Sequence, residues 1–171
     1  LLDNELLVET EKLVLDERRL LLEVLRHLHE IQRRKLFVEI GYTSLHDYAV
    51  RHLKYSDDQA ARRIAAMRLL SELPMLTAKV GAGTLSLTTM AIAARFFREE
   101  EKVTIVTSEF KIAVLEEIAG LSTREAERRL IASSSDPEAY RARVCESVRP
   151  VSSTENVVRI VLTDAVLEKI N

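Results

Sequence analysis

Apolar positions fall at helical spacing along nearly the whole chain. Leu6, Leu13 and Leu20 stand seven apart, and Val24, Leu28 and Ile31 continue the stripe at steps of four and three. No Pro or Gly precedes Gly41, so the pattern predicts helix over residues 3–39. Asp3 can cap its start, and Glu5, Glu9 and Glu11 suit the positive end of its dipole. A stretch this long reads as a coiled-coil or interface helix, or as two consecutive bundle helices with a kink.

Beyond Gly41 the punctuation is dense. Thr43-Ser44 caps a short helix with Leu45, Tyr48, Ala49, His52 and Leu53 on one face, and a tight turn follows at Lys54-Tyr55. Ser56 begins a longer helix with Ala60, Ile64 and Met67 turned inward. Pro74 fits the first turn of a helix that ends at residues 81–83. Ser86 opens another through Met90, Ala94 and Phe97, fading into the charged run 98–102. Ser108 and Ser122 start helices ending at Gly120 and near Ala132, and Ser133-Ser134-Ser135-Asp136-Pro137 is a helix stop. A short helical piece carries Tyr140 and Val144. Residues 150–154 read as linker, and residues 157–162 form the one convincing strand, followed by a Thr163-Asp164 cap. A lone strand cannot satisfy its own backbone. Its expected partner is another chain or material beyond Asn171.

The expected fold class is all-α: a long N-terminal helix against a multi-helix lobe with helix-turn-helix-like units, plus a short C-terminal β-strand. Residues 1–40 are the long helix, 41–103 a helix-turn-helix-like lobe and 104–135 a second such unit. Residues 136–156 are a linker, and 157–171 begin a truncated β–α segment.

Composition narrows the class. The 171 residues are 47% hydrophobic and 30% charged, with four Gly and three Pro, which excludes disordered and collagen-like chains. Aromatics are 5% and Trp is absent, so Leu, Ile, Val and Ala must build the core. The single Cys145 excludes an intrachain disulfide and a Cys-based metal site, and fits a reducing cytoplasm. No apolar run approaches the roughly 20 residues that span a bilayer. The start shows no leader, and Leu1 in place of Met marks a trimmed end. Net charge is −2, so any nucleic-acid role must rest on a local patch.

An internal repeat supplies a candidate patch. Ser56-Asp57-Asp58-Gln59-Ala60-Ala61-Arg62-Arg63-Ile64 parallels Ser122-Thr123-Arg124-Glu125-Ala126-Glu127-Arg128-Arg129-Leu130. Both open with a capping box, place Ala four positions after the cap and a branched aliphatic four further on, and push an Arg pair outward. Each follows a short helix and a tight turn, which is the helix-turn-helix pattern. A capped helix of this kind can enter a major groove about 12 Å wide with its first residues against base edges. In the first unit those residues are Ser56, Asp58, Gln59, Arg62 and Arg63. Gln pairs with adenine and Arg with guanine, while Arg51, Lys54 and Arg68 could hold phosphates. Asp57 and Asp58 would repel nearby phosphates, and a solvent-facing Arg pair is often merely solvated. The second unit carries more acids than bases and reads as structural.

These residues also carry a resemblance. Gly41-Tyr42-Thr43-Ser44-Leu45, Tyr55-Ser56 with Ala60-Ala61-Arg62-Arg63-Ile64, Leu73-Pro74 and Gly83-Thr84-Leu85-Ser86-Leu87 resemble the helical region that precedes the nuclease module of certain bacterial HNH endonucleases. Ser122-Thr123-Arg124-Glu125-Ala126-Glu127 and the strand at 157–162 are similar to that family's continuation. Residues 56–87 more loosely resemble the helix-turn-helix of ParB-type partition proteins, with about one extra helical turn before Leu73-Pro74. The first resemblance implies a metal-dependent nuclease whose catalytic module, with its histidines, Asn and divalent ion, lies outside this chain. Here His27, His29, His46 and His52 all fall on predicted helices and none sits in that arrangement. Asp47, Asp57, Asp58 and the acids 99–101 read as caps and solvated charge.

The expectation is therefore a cytoplasmic, non-catalytic, DNA-binding and dimerising region of an HNH endonuclease, with no cofactor and no small-molecule substrate of its own. Its partners are double-stranded DNA and a second copy, met through the long helix and the orphan strand. Two alternatives stand beside it. One is a helical protein–protein adaptor without nucleic-acid binding, favoured if Arg62 and Arg63 are tied down within the molecule. The other is a stand-alone ParB-like partition or transcription regulator.

Overall fold

A computed structural model describes residues 3–140, 147–150 and 155–159, and within these the fold is all-α with one short hairpin. Helix α1 runs unbroken over Asp3–Arg34. It stops before Gly41, because Lys35 turns into the left-handed region at φ 55° and a short α2 (Leu36–Glu39) starts in a new direction. This swings Phe37 back against the core. Neither Pro nor Gly marks the break, which is why periodicity runs past it.

Ser44 caps α3 (Leu45–Arg51), its hydroxyl accepting the Asp47 amide at 3.0 Å. Lys54 makes the turn at φ 62°, and Ser56 caps α4 (Asp57–Glu72). Both sides of the predicted box form there: Gln59 N–H donates to Ser56 Oγ at 3.2 Å, and Ser56 N–H donates to Gln59 Oε1 at 3.1 Å. Pro74–Leu76 is a 3₁₀ turn that leads into α5 (Thr77–Gly81). Helix α6 (Leu87–Glu100) starts at the Ser86 cap, α7 (Ser108–Glu117) at a Thr107 cap, and α8 (Thr123–Ala132) at the Ser122 box. After the serine stop a helical turn resumes at residues 137–140.

One apolar cluster joins these pieces. Leu25 and Leu28 of α1, Ile64 and Met67 of α4, Met90 and Phe96 of α6, Leu115 of α7, Leu130 of α8 and Tyr140 all belong to it. Helix α4 lies at its centre, against α1, α3 and α6. Helices α4 and α6 run parallel, because Arg62 reaches Thr88 at their starts while Lys111 joins Glu72 to Glu101 at their ends. Tight approaches fix the rim of the core. Gly83 sits at φ 80° under the Arg18 guanidinium, where any Cβ would collide, and Arg18 Nη1 donates to the Ala82 carbonyl at 3.3 Å. Gly120, at φ 78°, lets its amide donate to the Thr84 carbonyl at 2.7 Å.

The strand is not an orphan. β2 (Asn156–Arg159) pairs antiparallel with β1 (Ser147–Pro150), from within the segment read as linker, with Val148 opposite Val158. One edge of its backbone is therefore met inside the chain. Val144, Cys145, residues 160–162 and the Thr163-Asp164 cap lie outside the described residues.

Candidate nucleic-acid interface

Arg51, Lys54, Ser56, Asp58 and Gln59 gather at the α3–α4 turn, Arg62 and Arg63 follow on α4 and Arg68 lies near its far end, and most of them are already engaged. Ser56 and Gln59 spend their side-chain oxygens on the capping box. Arg51 Nε sits 2.9 Å from Asp47 Oδ1. Asp58 is almost fully exposed, at the N-terminal end where a negative charge suits the dipole. Lys54 is exposed on the left-handed turn.

The Arg pair does not stand free as the repeat led one to expect. Arg62 is half-buried: its Nε donates to the Asp58 carbonyl at 3.2 Å, Nη1 donates to Thr88 Oγ1 at 3.3 Å, and Nη2 lies 3.8 Å from the Asp58 carboxylate. Arg63 lies over the Tyr55 ring at 4.2 Å and donates from Nη1 to the Gln59 carbonyl at 3.3 Å. Its Nε is buried with no partner among the described residues. Past the first turn, Ala60, Ile64, Ala66, Met67 and Leu69 are buried, so only the first turn of α4 and a narrow strip ending at Arg68 and Glu72 face solvent.

That strip holds a second cationic group. Arg68 of α4 and Arg98 of α6 line one groove of about 200 Å³ between the parallel helices. Arg95 stands one turn before Arg98, close enough to share its side of α6. All three are exposed, and none of their guanidinium groups has an ion pair or hydrogen bond among the described residues. The groove's far end is closed by Lys111. This buried ammonium donates to Glu72 at 2.9 and 3.1 Å and lies 2.9 Å from Glu101. Burial pulls the Lys111 pKa down, but the hydrogen bonds to Glu72 and Glu101 outweigh it and hold the pKa above its ordinary value. Lys111 cancels the charge of one of the two acids, and Arg68 and Arg98 together outweigh the other, so the groove lining is cationic by a single charge. Sequence reading singled out Arg68 but missed Arg95 and Arg98. The available signal was their i,i+3 spacing opposite the inward Met90 and Phe97.

The second unit has a different setting. Ala126 and Leu130 are buried, and Arg129 pairs with Glu117 at 3.0 Å. Hydrogen bonds from Ser122, side chain first and then backbone, lower the Glu125 pKa. The acids 99–101 are not simply solvated. Glu99 pairs with Lys102 at 2.7 Å and Glu101 with Lys111, while Glu100 is 1% exposed and accepts from Ser134 Oγ, Ser135 N and Ser135 Oγ at 2.6–2.9 Å.

The histidines serve local contacts. His27 Nδ1 donates to the Glu23 carbonyl at 2.7 Å, and His46 lies 3.9 Å from Asp57. His52 stacks on Tyr48 at 5.0 Å and shares a hydrogen bond with Tyr42. Among the described residues no three His, Cys, Asp or Glu side chains converge as metal ligands do. No described helix is long and apolar enough to cross a membrane.

No family model, no curated protein and no solved structure matches the chain.

Proposed function

We propose that this chain is the DNA-engaging, non-catalytic helical region of an HNH endonuclease, and that it holds duplex DNA by its phosphates on the α4–α6 surface. The observation that carries the DNA part is the trio Arg68, Arg95 and Arg98, exposed cations without an acidic partner among the described residues. The Ser44-Leu45, Tyr55-Ser56, Leu73-Pro74 and Leu85-Ser86-Leu87 segments support the link to the nuclease family through resemblance alone. Phosphate contacts position a protein on DNA without reading its sequence. The reading is therefore of sequence-tolerant binding, with Lys54 and the first turn of α4 as the nearest route to base edges. Fluorescence anisotropy on a labelled duplex tests it. Arg68→Ala, Arg95→Ala and Arg98→Ala together abolish most binding with an unchanged thermal melt. Undiminished affinity of that triple variant rejects the assignment.

A second reading, a helical adaptor, is favoured by the intramolecular engagement of Arg62 and Arg63 and by the leucines left open on α1. It predicts no duplex affinity at low salt.

A further inference from the structure

The N-terminal half of α1 leaves apolar positions open to solvent. Leu6, Leu13 and Leu20 are 54, 62 and 61% exposed, and their seven-residue spacing sets them in one ridge. On a helix surface the neighbours of a residue lie three and four positions away. For this ridge they include Glu9, Asp16, Glu17 and Glu23, and none is basic. The ridge is apolar with an acidic edge.

A second surface flanks the ridge on the same helix and shares Glu23 with its edge. Where α1 crosses α4, a groove of about 380 Å³ has Leu22, Leu25, Met67 and Leu70 among its lining. Arg19, Arg26 and His29 stand on its rim with one acid, Glu23, so the rim is cationic by one charge with histidine neutral. Arg19 contacts Asp16 at 3.2 Å and Arg26 contacts Glu23 at 2.5 Å within the helix, through one terminal nitrogen each. A guanidinium has five donors, so each rim arginine can still accept a second carboxylate.

We propose that copies of this chain associate head to tail, the acid-edged Leu6–Leu13–Leu20 ridge of one seating in the arginine-rimmed groove of the next. Charge selects this pairing. Ridge against ridge would set Glu9, Asp16 and Glu17 of one copy beside the same acids of the other. Ridge against groove sets them beside Arg19, Arg26 and His29, and covers leucines with Leu22, Met67 and Leu70. Because the two surfaces differ, the contact is heterologous and propagates into a ring or an open chain instead of closing as a two-fold pair. The pairing is independent of any DNA contact on α4–α6.

Sedimentation velocity of the full chain over a wide concentration range tests this, with two charge-reversed variants. One carries Glu9→Lys, Asp16→Lys and Glu17→Lys on the ridge; the other carries Arg19→Glu and Arg26→Glu on the groove. All five side chains face solvent or are half-buried, and a circular-dichroism melt checks each fold. If the groove reversal unfolds the chain, Arg26→Gln replaces it and must weaken association. The wild type grows past a dimer with concentration, each variant alone stays monomeric, and an equimolar mixture of the two associates again. A wild type that is monomeric throughout overturns the proposal. So does a dimer that goes no further and ignores the groove reversal, or a mixture that stays monomeric.

Discussion

The Arg63 guanidinium carbon stands 4.2 Å from the centre of the ring of Tyr55, eight residues before it across the cap of α4. A cation held over an aromatic face gains about 0.5–2 kcal/mol depending on its desolvation. Arg63 also meets the Gln59 carbonyl, and Arg62 ties α4 to α6 through Thr88. The pair therefore contributes to the fold. Arg62→Ala with Arg63→Ala lowers unfolding free energy by about 1–3 kcal/mol in urea titrations, the sum of such partly buried contacts. Its effect on duplex affinity is smaller than that of the Arg68, Arg95 and Arg98 substitutions. An unchanged urea midpoint with lost DNA binding would return the Arg pair to the interface.

Salt dependence separates phosphate contact from other modes of binding. Each neutralised phosphate contributes a slope of about −0.9 to log K against log salt on duplex DNA. Removing Arg68, Arg95 or Arg98 singly reduces that slope by about one unit. Replacing Ser56 or Gln59 by Ala leaves it unchanged, because neither side chain carries charge. Anisotropy titrations at several salt concentrations read both outcomes.

The capping boxes made much of this fold legible in advance. Ser56 with Gln59 and Ser122 with Glu125 announce α4 and α8 by local chemistry that no distant contact can override cheaply. The inward series Ala60, Ile64 and Met67 is buried as its spacing implies. The interface was less legible, because an outward angle on a helical wheel does not say what else packs there. Arg62 points away from Ala60 and Ile64, yet Thr88 of α6 meets it on that side, while Arg63 lies three positions after Ala60 and turns back over Tyr55. The strand read at 157–162 forms at Asn156–Arg159 among the described residues, but nothing in the sequence announced its partner. β1 contains Pro150 and only one branched aliphatic, so it gives no alternating pattern. The Lys35 break was invisible because a non-glycine residue in the left-handed region leaves no mark in composition.

Glu100 is the residue whose environment departs furthest from its sequence appearance. It sits in a run of three acids, yet it is buried and gathers the Ser134 hydroxyl together with the Ser135 amide and hydroxyl. These bonds hold the chain as it leaves α8 and direct Tyr140 onto Phe96, 5.3 Å away between ring centres. Glu100→Gln turns an acceptor into an N–H donor facing other donors. That change costs about 1–3 kcal/mol, the range for leaving a buried partner unsatisfied. Hydrogen exchange at the Ser135 amide accelerates in the variant while α4 amides stay protected. Equal acceleration in both places would mean that Glu100 supports the whole core instead.

Lys111 gives the fold an alkaline limit. Burial acts against its charge, but Glu72 and Glu101 outweigh that and raise its pKa above the ordinary 10.5. A raised lysine stabilises fully below its unfolded value and loses that contribution as pH climbs through the folded one. The melting temperature of the wild type therefore falls as pH rises beyond about 10.5, by more than the remaining lysines explain. Lys111→Met removes the two ion pairs at every pH, so its melt is lower at neutrality and loses this alkaline step. Glu72 and Glu101 are both about half exposed and regain water when the ammonium is gone. The loss is then about 1–2 kcal/mol, below the 3–5 kcal/mol expected where a partner is left charged and dry. For a chain of this size that lowers the melt by about 2–8 °C. Parallel pH profiles for the two proteins decide the matter: an alkaline step of equal height in Lys111→Met would assign it to another group.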